Sequence, residues 1–328
     1  MEIDNSPNAL AAPEPPGAGW TARRIFFNAE GLRAGWRLLI YLLMVVGMFL
    51  VWKIVFMQFL KPTPGVHSVR NWFISEVVAF VIAFGAAVIM SMIERRPVGV
   101  YGLPVQGAFG KLFWQGAALG LLEVSVLMGL IHLTGGYSFG HLELHGTAIL
   151  HWAALWAIFF VFVGLFEEFL FRGYALFTLA TGVGFWPAAV VLSLLFAAVH
   201  LQNNGEGMAG VAAVFVVGML WCFTLRRTGS LWLAVGMHSA FDFAETFLYS
   251  VPDSGMVFPG HLSSASLNGN PWLTGGKAGP EASLFDFLLL FVLFYVIHRI
   301  YPADRAPNSD GPAEASRSTS ETGASFTP

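Results

Sequence analysis

Eight long apolar runs constrain this chain more than any other feature of it. They fall at about 36–60, 72–93, 111–134, 148–180, 186–203, 208–225, 230–250 and 282–301. About 20 apolar residues in a helix span the hydrocarbon of a bilayer. A spanning segment must also pair every backbone N–H and C=O within itself, because lipid offers no partner. The runs therefore predict an all-α fold: a polytopic transmembrane helical bundle of about eight spans. No segment reads as a strand. The fourth run is too long for one straight crossing and predicts tilt, or an extension beyond the membrane at one end. Composition agrees, since 11% of the residues are charged and 56% hydrophobic, against roughly 25% charged in soluble proteins. A net charge of −3 gives no reason to expect a nucleic-acid partner. The single cysteine, Cys222, excludes an intrachain disulfide.

The seventeen Lys and Arg residues set the expected orientation, because basic residues gather in cytoplasmic loops. With a cytoplasmic N-terminus, the inner side holds twelve of them: Arg23, Arg24, Arg33, Arg37, Arg95, Arg96, Lys111, Arg226, Arg227, Arg299, Arg305 and Arg317. The outer side holds three, Lys61, Arg70 and Lys277, while Lys53 and Arg172 lie in spans. Both termini are thus expected in the cytoplasm of a plasma or inner membrane protein. The chain divides into a polar N-terminal segment (1–34), N-terminal membrane helices (35–147), a core (148–250), an extracytoplasmic loop (251–281), a last membrane helix (282–301) and a tail (302–328) expected to be disordered. The N-terminal segment lacks the short apolar core of a cleavable signal, so the first run is expected to serve as an uncleaved anchor.

An ionisable side chain at the centre of a membrane helix costs ~2.5–3.5 kcal/mol on insertion scales, which makes each one a functional candidate. The fourth run reads GLFEEFLFRGY and carries Glu167, Glu168 and Arg172. Glu168 and Arg172 are four residues apart and share a helix face, where an ion pair lowers the cost of burying both. Glu167 is turned ~100° away. The fifth run ends FAAVH, at His200. The seventh reads GMHSAFDFAETF, so that His238, Asp242 and Glu245 form one polar stripe on an apolar helix. At 1.5 Å per residue Glu167, His200 and Asp242 reach similar depths, ~18–20 Å from the cytoplasmic ends. Three helices thus point to one site inside the bundle. Glu123 in the third run belongs either to that cavity or to a contact with a neighbouring helix. His141, Glu143 and His145 (HLELH) read as loop residues, able to bind a metal only if helical.

Glu167-Glu168-xxx-Arg172, then Phe196-xxx-His200, then His238-xxx-Asp242 resembles the three-motif signature of the CPBP family. These are the intramembrane CAAX-processing and bacteriocin-processing endopeptidases, also called the Abi family. The likeness covers residues 148–250. It implies a helical bundle with a water-accessible cavity in which peptide bonds are hydrolysed, and a peptide or membrane-protein substrate. By that analogy Glu167 activates the attacking water, Glu168 and Arg172 support the site, His200 helps hold the water, and His238 and Asp242 stabilise the tetrahedral intermediate. Family members commonly carry Asn where this chain has Asp242. An ionised Asp cannot donate to an oxyanion, so Asp242 either carries a proton during turnover or plays another part.

No cofactor is expected. A metal-dependent version of the same chemistry is the first alternative, with zinc on His200, His238 and a carboxylate and with Glu167 as base. The absence of an HExxH sequence argues against it. A non-catalytic membrane scaffold that keeps a degenerate site is the second alternative. A proton-coupled transporter is the third, although the runs form no matched halves. The orientation is open to direct test. On a Cys222→Ser background, a cysteine at Ser264 should react with an impermeant thiol reagent from the extracytoplasmic face. Labelling from the cytoplasmic face alone would contradict the eight-span topology.

Overall fold

A computed structural model describes residues 25–28, 31–60, 68–203, 205 and 207–302 of the chain. Residues 1–24 of the expected N-terminal segment and 303–328 of the expected disordered tail lie outside the described residues. Helices occupy all eight apolar runs. In chain order they are α1 (Ala34–Val55), α2 (Val69–Glu94), α3 (Lys111–Leu133), α4 (Thr147–Arg172), α5 (Tyr174–Val183), α6 (Phe185–His200), α7 (Met208–Thr228), α8 (Trp232–Phe243) and α9 (Leu284–Ile300). A wide π turn, Phe56–Leu60, extends α1, and another, Ala244–Leu248, extends α8.

Among the described residues, five helical stretches are long and apolar enough to cross a membrane: Ala34–Phe59, Val69–Glu94, Lys111–Leu133, Thr147–Val183 and Met208–Thr228. Phe185–His200 is a shorter apolar helix. Burial shows what surrounds them. The most apolar window of the first stretch has a mean hydropathy of 2.5, yet only 11% of it is buried inside the protein. Side chains such as Leu43, Ile54 and Met92 turn outward, and a surface of that chemistry suits lipid. The molecule is a multi-pass helical membrane protein.

The long fourth run departs from expectation, because it breaks instead of running through. α4 ends at Arg172, Gly173 adopts φ −80°, ψ −126°, and the ten-residue α5 follows as a separate helix. The turn into α6 passes through Gly184 at φ 86°, ψ 162°, a backbone region essentially reserved for glycine that costs other residues ~1–3 kcal/mol. One carboxylate ties this corner to the rest. Glu94, at the end of α2, accepts from Arg37 Nη1 (3.2 Å), Tyr101 Oη (3.1 Å) and the Tyr174 hydroxyl. Arg37 Nη2 also reaches Thr181 Oγ1 at 2.7 Å, so α1, α2 and α5 share one polar knot.

Four very short strands modify the expectation that the chain holds none. Phe27–Asn28 pairs antiparallel with Gly31–Leu32, and Tyr137–Ser138 with Ser266–Leu267. The second pair fastens the long loop before α9 across the end of the bundle. There Phe258 packs among Trp72, Trp156 and Phe159, and Trp156 Nε1 donates to Pro259 O at 3.2 Å. The HLELH segment lies in this cap and is not helical. His141 Nδ1 faces Ser264 Oγ at 2.7 Å, and Glu143 faces His261 Nε2 at 3.5 Å.

The closest helix pair is α3 with α8, and glycine makes that closeness possible. A Cβ on Gly116 would sit 2.1 Å from Leu233 O, one on Gly120 2.2 Å from Met237 O, and one on Gly236 2.1 Å from Phe113 O. Where lipid removes the hydrophobic drive between helices, such small residues let backbones approach and gain van der Waals contact. Gly120→Ala should therefore force the helices apart beside His238. It should cost at least ~1–3 kcal/mol, the usual range for overpacking, read as a fall in Tm of the detergent-solubilised protein. An unchanged Tm would show that the helices tolerate the separation.

Candidate active site

Glu167 and Glu168 sit one turn before α4 stops. Adjacent helical residues project ~100° apart, and here the two carboxylates have different surroundings. Glu168 points into protein and is wholly buried. Its Oε1 lies 3.4 Å from Arg172 Nη1 and 3.0 Å from His238 Nδ1. Glu167 faces a cavity, with its side chain 25% exposed and Oε2 3.8 Å from His238 Nε2. Asp242, one turn after His238 on α8, brings Oδ2 to 3.2 Å from that same Nε2. Both ring nitrogens of His238 thus face carboxylates. The ring donates in both directions only when doubly protonated; when neutral, one nitrogen must accept from a protonated carboxyl.

Two elements hold this arrangement in place. Trp221 of α7 stacks on the His238 ring, 4.4 Å away and 13° from parallel. The wholly buried Arg172 guanidinium lies over Phe196 at 4.2 Å and Trp221 at 5.2 Å. Among the described residues its Nε and Nη2 have no hydrogen-bond partner, and the ring faces supply part of the missing electrostatics. Gly218 leaves room for it, since a Cβ there would stand 2.6 Å from Arg172 Nη2. At the end of α6, His200 Nδ1 lies 2.8 Å from Phe196 O. A carbonyl only accepts, so Nδ1 carries the proton and Nε2 is the accepting nitrogen of the neutral ring.

The cavity measures about 270 Å³. Of the six residues expected at the site, Glu167, His200, His238 and Asp242 line it, while Glu168 and Arg172 stand behind the wall. Glu123 and Glu245 line it as well. Several contributors escaped the motif reading, Glu76 and Trp221 among them. Glu76 of α2 also lines the cavity, and its position inside the second apolar run was signal enough to find it. Trp221 carried no signal, because nothing distinguishes one aromatic residue in an apolar helix from another. The three-ligand set of the zinc alternative is not assembled: among the described residues no group of three His, Cys, Asp or Glu is arranged to hold a metal ion. His238 has no nitrogen turned away from a carboxylate.

Fold and site together define a class, a multi-pass helical membrane protein with a Glu–His–Asp cluster around an internal cavity. A family model matches part of the chain. Residues 149–244 match the family model described as Rce1-like, type II CAAX prenyl endopeptidase Rce1-like. The match runs from the third residue of α4 to the residue after α8 and includes all six expected site residues. It is a membrane-peptidase family, the CPBP/CAAX protease family that the three motifs resemble. Comparison with curated proteins and with solved structures gives no match.

Removing the charge on Glu168 would leave Arg172 buried without its anion. Breaking a buried pair in this way typically costs ~3–5 kcal/mol. Glu168→Gln should accordingly lower Tm and folded yield, whereas Glu167→Gln should leave both near the native values. Thermal unfolding of the three purified proteins checks this, and equal stabilities would contradict the division of labour between the two glutamates.

Proposed function

We propose that this protein is an intramembrane endopeptidase, hydrolysing peptide bonds of membrane-associated or C-terminally lipidated, CAAX-like substrates with a water activated by Glu167. Eight crossings, with both termini cytoplasmic, complete the reading. One observation carries it: Glu167, His200, His238 and Asp242, from three helices, line a single cavity.

The chemistry needs a base, donors and a dry enclosure. Glu167 takes a proton from water as the oxygen attacks the substrate carbonyl carbon, and His200 helps hold that water. The electron pair of the C=O bond moves to oxygen, where donors from the pair His238–Asp242 offset the developing charge. Collapse of the intermediate breaks the C–N bond, and Glu167 returns its proton to the leaving amine. Glu168 and Arg172 touch no reacting atom. They hold His238 in position from Nδ1, which keeps Nε2 turned to the cavity. No step uses a metal ion.

Three substitutions at two positions test the roles. Glu167→Gln keeps the shape and loses the base, so kcat/KM on a cleaved peptide should fall at least ~10²-fold. Full turnover by that variant would overturn the mechanism. Asn at 242 offers an amide donor of nearly the same shape with no proton to lose. Asp242→Asn should stay within about tenfold of native activity, whereas Asp242→Ala should raise the barrier by ~2.7–4 kcal/mol, the usual cost of one oxyanion donor. An inactive but stably folded Asp242→Asn would assign the carboxylate another role, metal ligand included.

A further inference from the structure

The cavity continues past the residues used above. Five more carboxylates line it: Glu123 from α3, Glu245 from the π turn after α8, Asp253 and Glu281 from the capping loop, and Asp286 from α9. No Lys or Arg is among its described lining residues, whose basic members are His200 and His238. Two of the five are partnered. Asp253 Oδ2 accepts from Thr246 Oγ1 at 3.2 Å, and Glu281 Oε1 from Ser254 N at 2.7 Å. Glu245 and Asp286 differ. They are 1% and 4% exposed, yet among the described residues Glu245 Oε1 and Asp286 Oδ1 have no hydrogen-bond partner. An acceptor buried without a donor is costly, and these two line the same empty volume. Its walls also carry Phe159, Phe160, Phe241 and Phe258. An alkyl stem packs well on such rings, and a cation is attracted to their faces.

We propose that this set of lining carboxylates is a subsite for one cationic side chain of the substrate, lysine or arginine, bound beside the scissile bond. The choice of a peptide as the bearer of that cation rests on the peptidase reading. An ammonium or guanidinium group brings several donors at once and needs no preset coordination geometry. A divalent ion needs a gathered ligand set, and none is formed among the described residues. Asp253 supports the assignment from outside the spans. Burial, with Asp242 and Glu281 close by, holds its carboxyl well above the usual carboxylate range, and an incoming cation relieves that repulsion.

The test uses full-length protein and fluorescent Leu/Ala peptides that carry one lysine, or one norleucine, at a scanned position. Binding is measured in the Glu167→Gln protein, where turnover does not deplete the probe. At one register lysine should bind about tenfold or more tightly than norleucine, as expected when a buried charge finds its partner. Glu245→Gln or Asp286→Asn, each added singly, should cut that ratio to within about twofold. Two isosteric substitutions are used so that a folding defect in one leaves the other to decide. No register preferring lysine, or a preference unchanged in both variants, would overturn the subsite. So would a divalent ion that co-purifies and whose removal alone creates the preference. Hydrolysis by native protein is scored separately. Peptides bound by charge but never cut would sink the peptidase reading and spare the subsite, and peptides cut regardless of charge would do the reverse.

Discussion

Everything at the site depends on one buried carboxylate oxygen. Glu168 Oε1 meets Arg172 Nη1 from its own helix and His238 Nδ1 from α8, deep in a molecule whose outer surface is apolar. Arg172 is wholly buried, so its guanidinium is held beside that anion. The constraint has a geometric result. With Nδ1 committed to Glu168, the imidazole presents Nε2 to Glu167 and Asp242, and the stacked Trp221 ring fixes its plane. Glu167 is left on the cavity side, unencumbered by Arg172. Two adjacent glutamates can divide support from chemistry only because a helix turns them ~100° apart.

The same network explains features of the fold that look unrelated to chemistry. Arg172 occupies the space that Gly218 leaves on α7, and α4 stops at once after it, at Gly173. The glycines of α3 and α8 bring those backbones together beside His238. In water such close approach would be one packing choice among many. In lipid, where polar groups have no other solvent, it shapes a cavity whose polar lining is shared among several helices.

Much of this was legible in the sequence, for a physical reason. Apolar length is a direct consequence of bilayer thickness, so the helices lie within a few residues of the runs that announce them. Charged residues are costly in lipid, so Glu167, Glu168, Arg172, His238 and Asp242 stood out before any contact was known. The i, i+4 spacing of Glu168 and Arg172 correctly gave an ion pair, but it could not reveal that Glu168 also engages His238, seventy residues away. The break at Gly173 was missed because a glycine is tolerated inside membrane helices and only packing decides whether it ends one. Trp221 and the capping loop were silent for a similar reason. Their roles come from what they pack against, and sequence spacing carries no record of that.

The central claim is that water, delivered by Glu167, attacks the peptide directly inside the bundle. It is tested most directly by incubating the purified, reconstituted protein with a peptide library in ¹⁸O-labelled water, with and without hydroxylamine. The account predicts new carboxyl termini that each carry one heavy oxygen, and no hydroxamates, because no acyl-enzyme forms. Hydroxamate products, or a folded protein that releases no peptide at all, would contradict it.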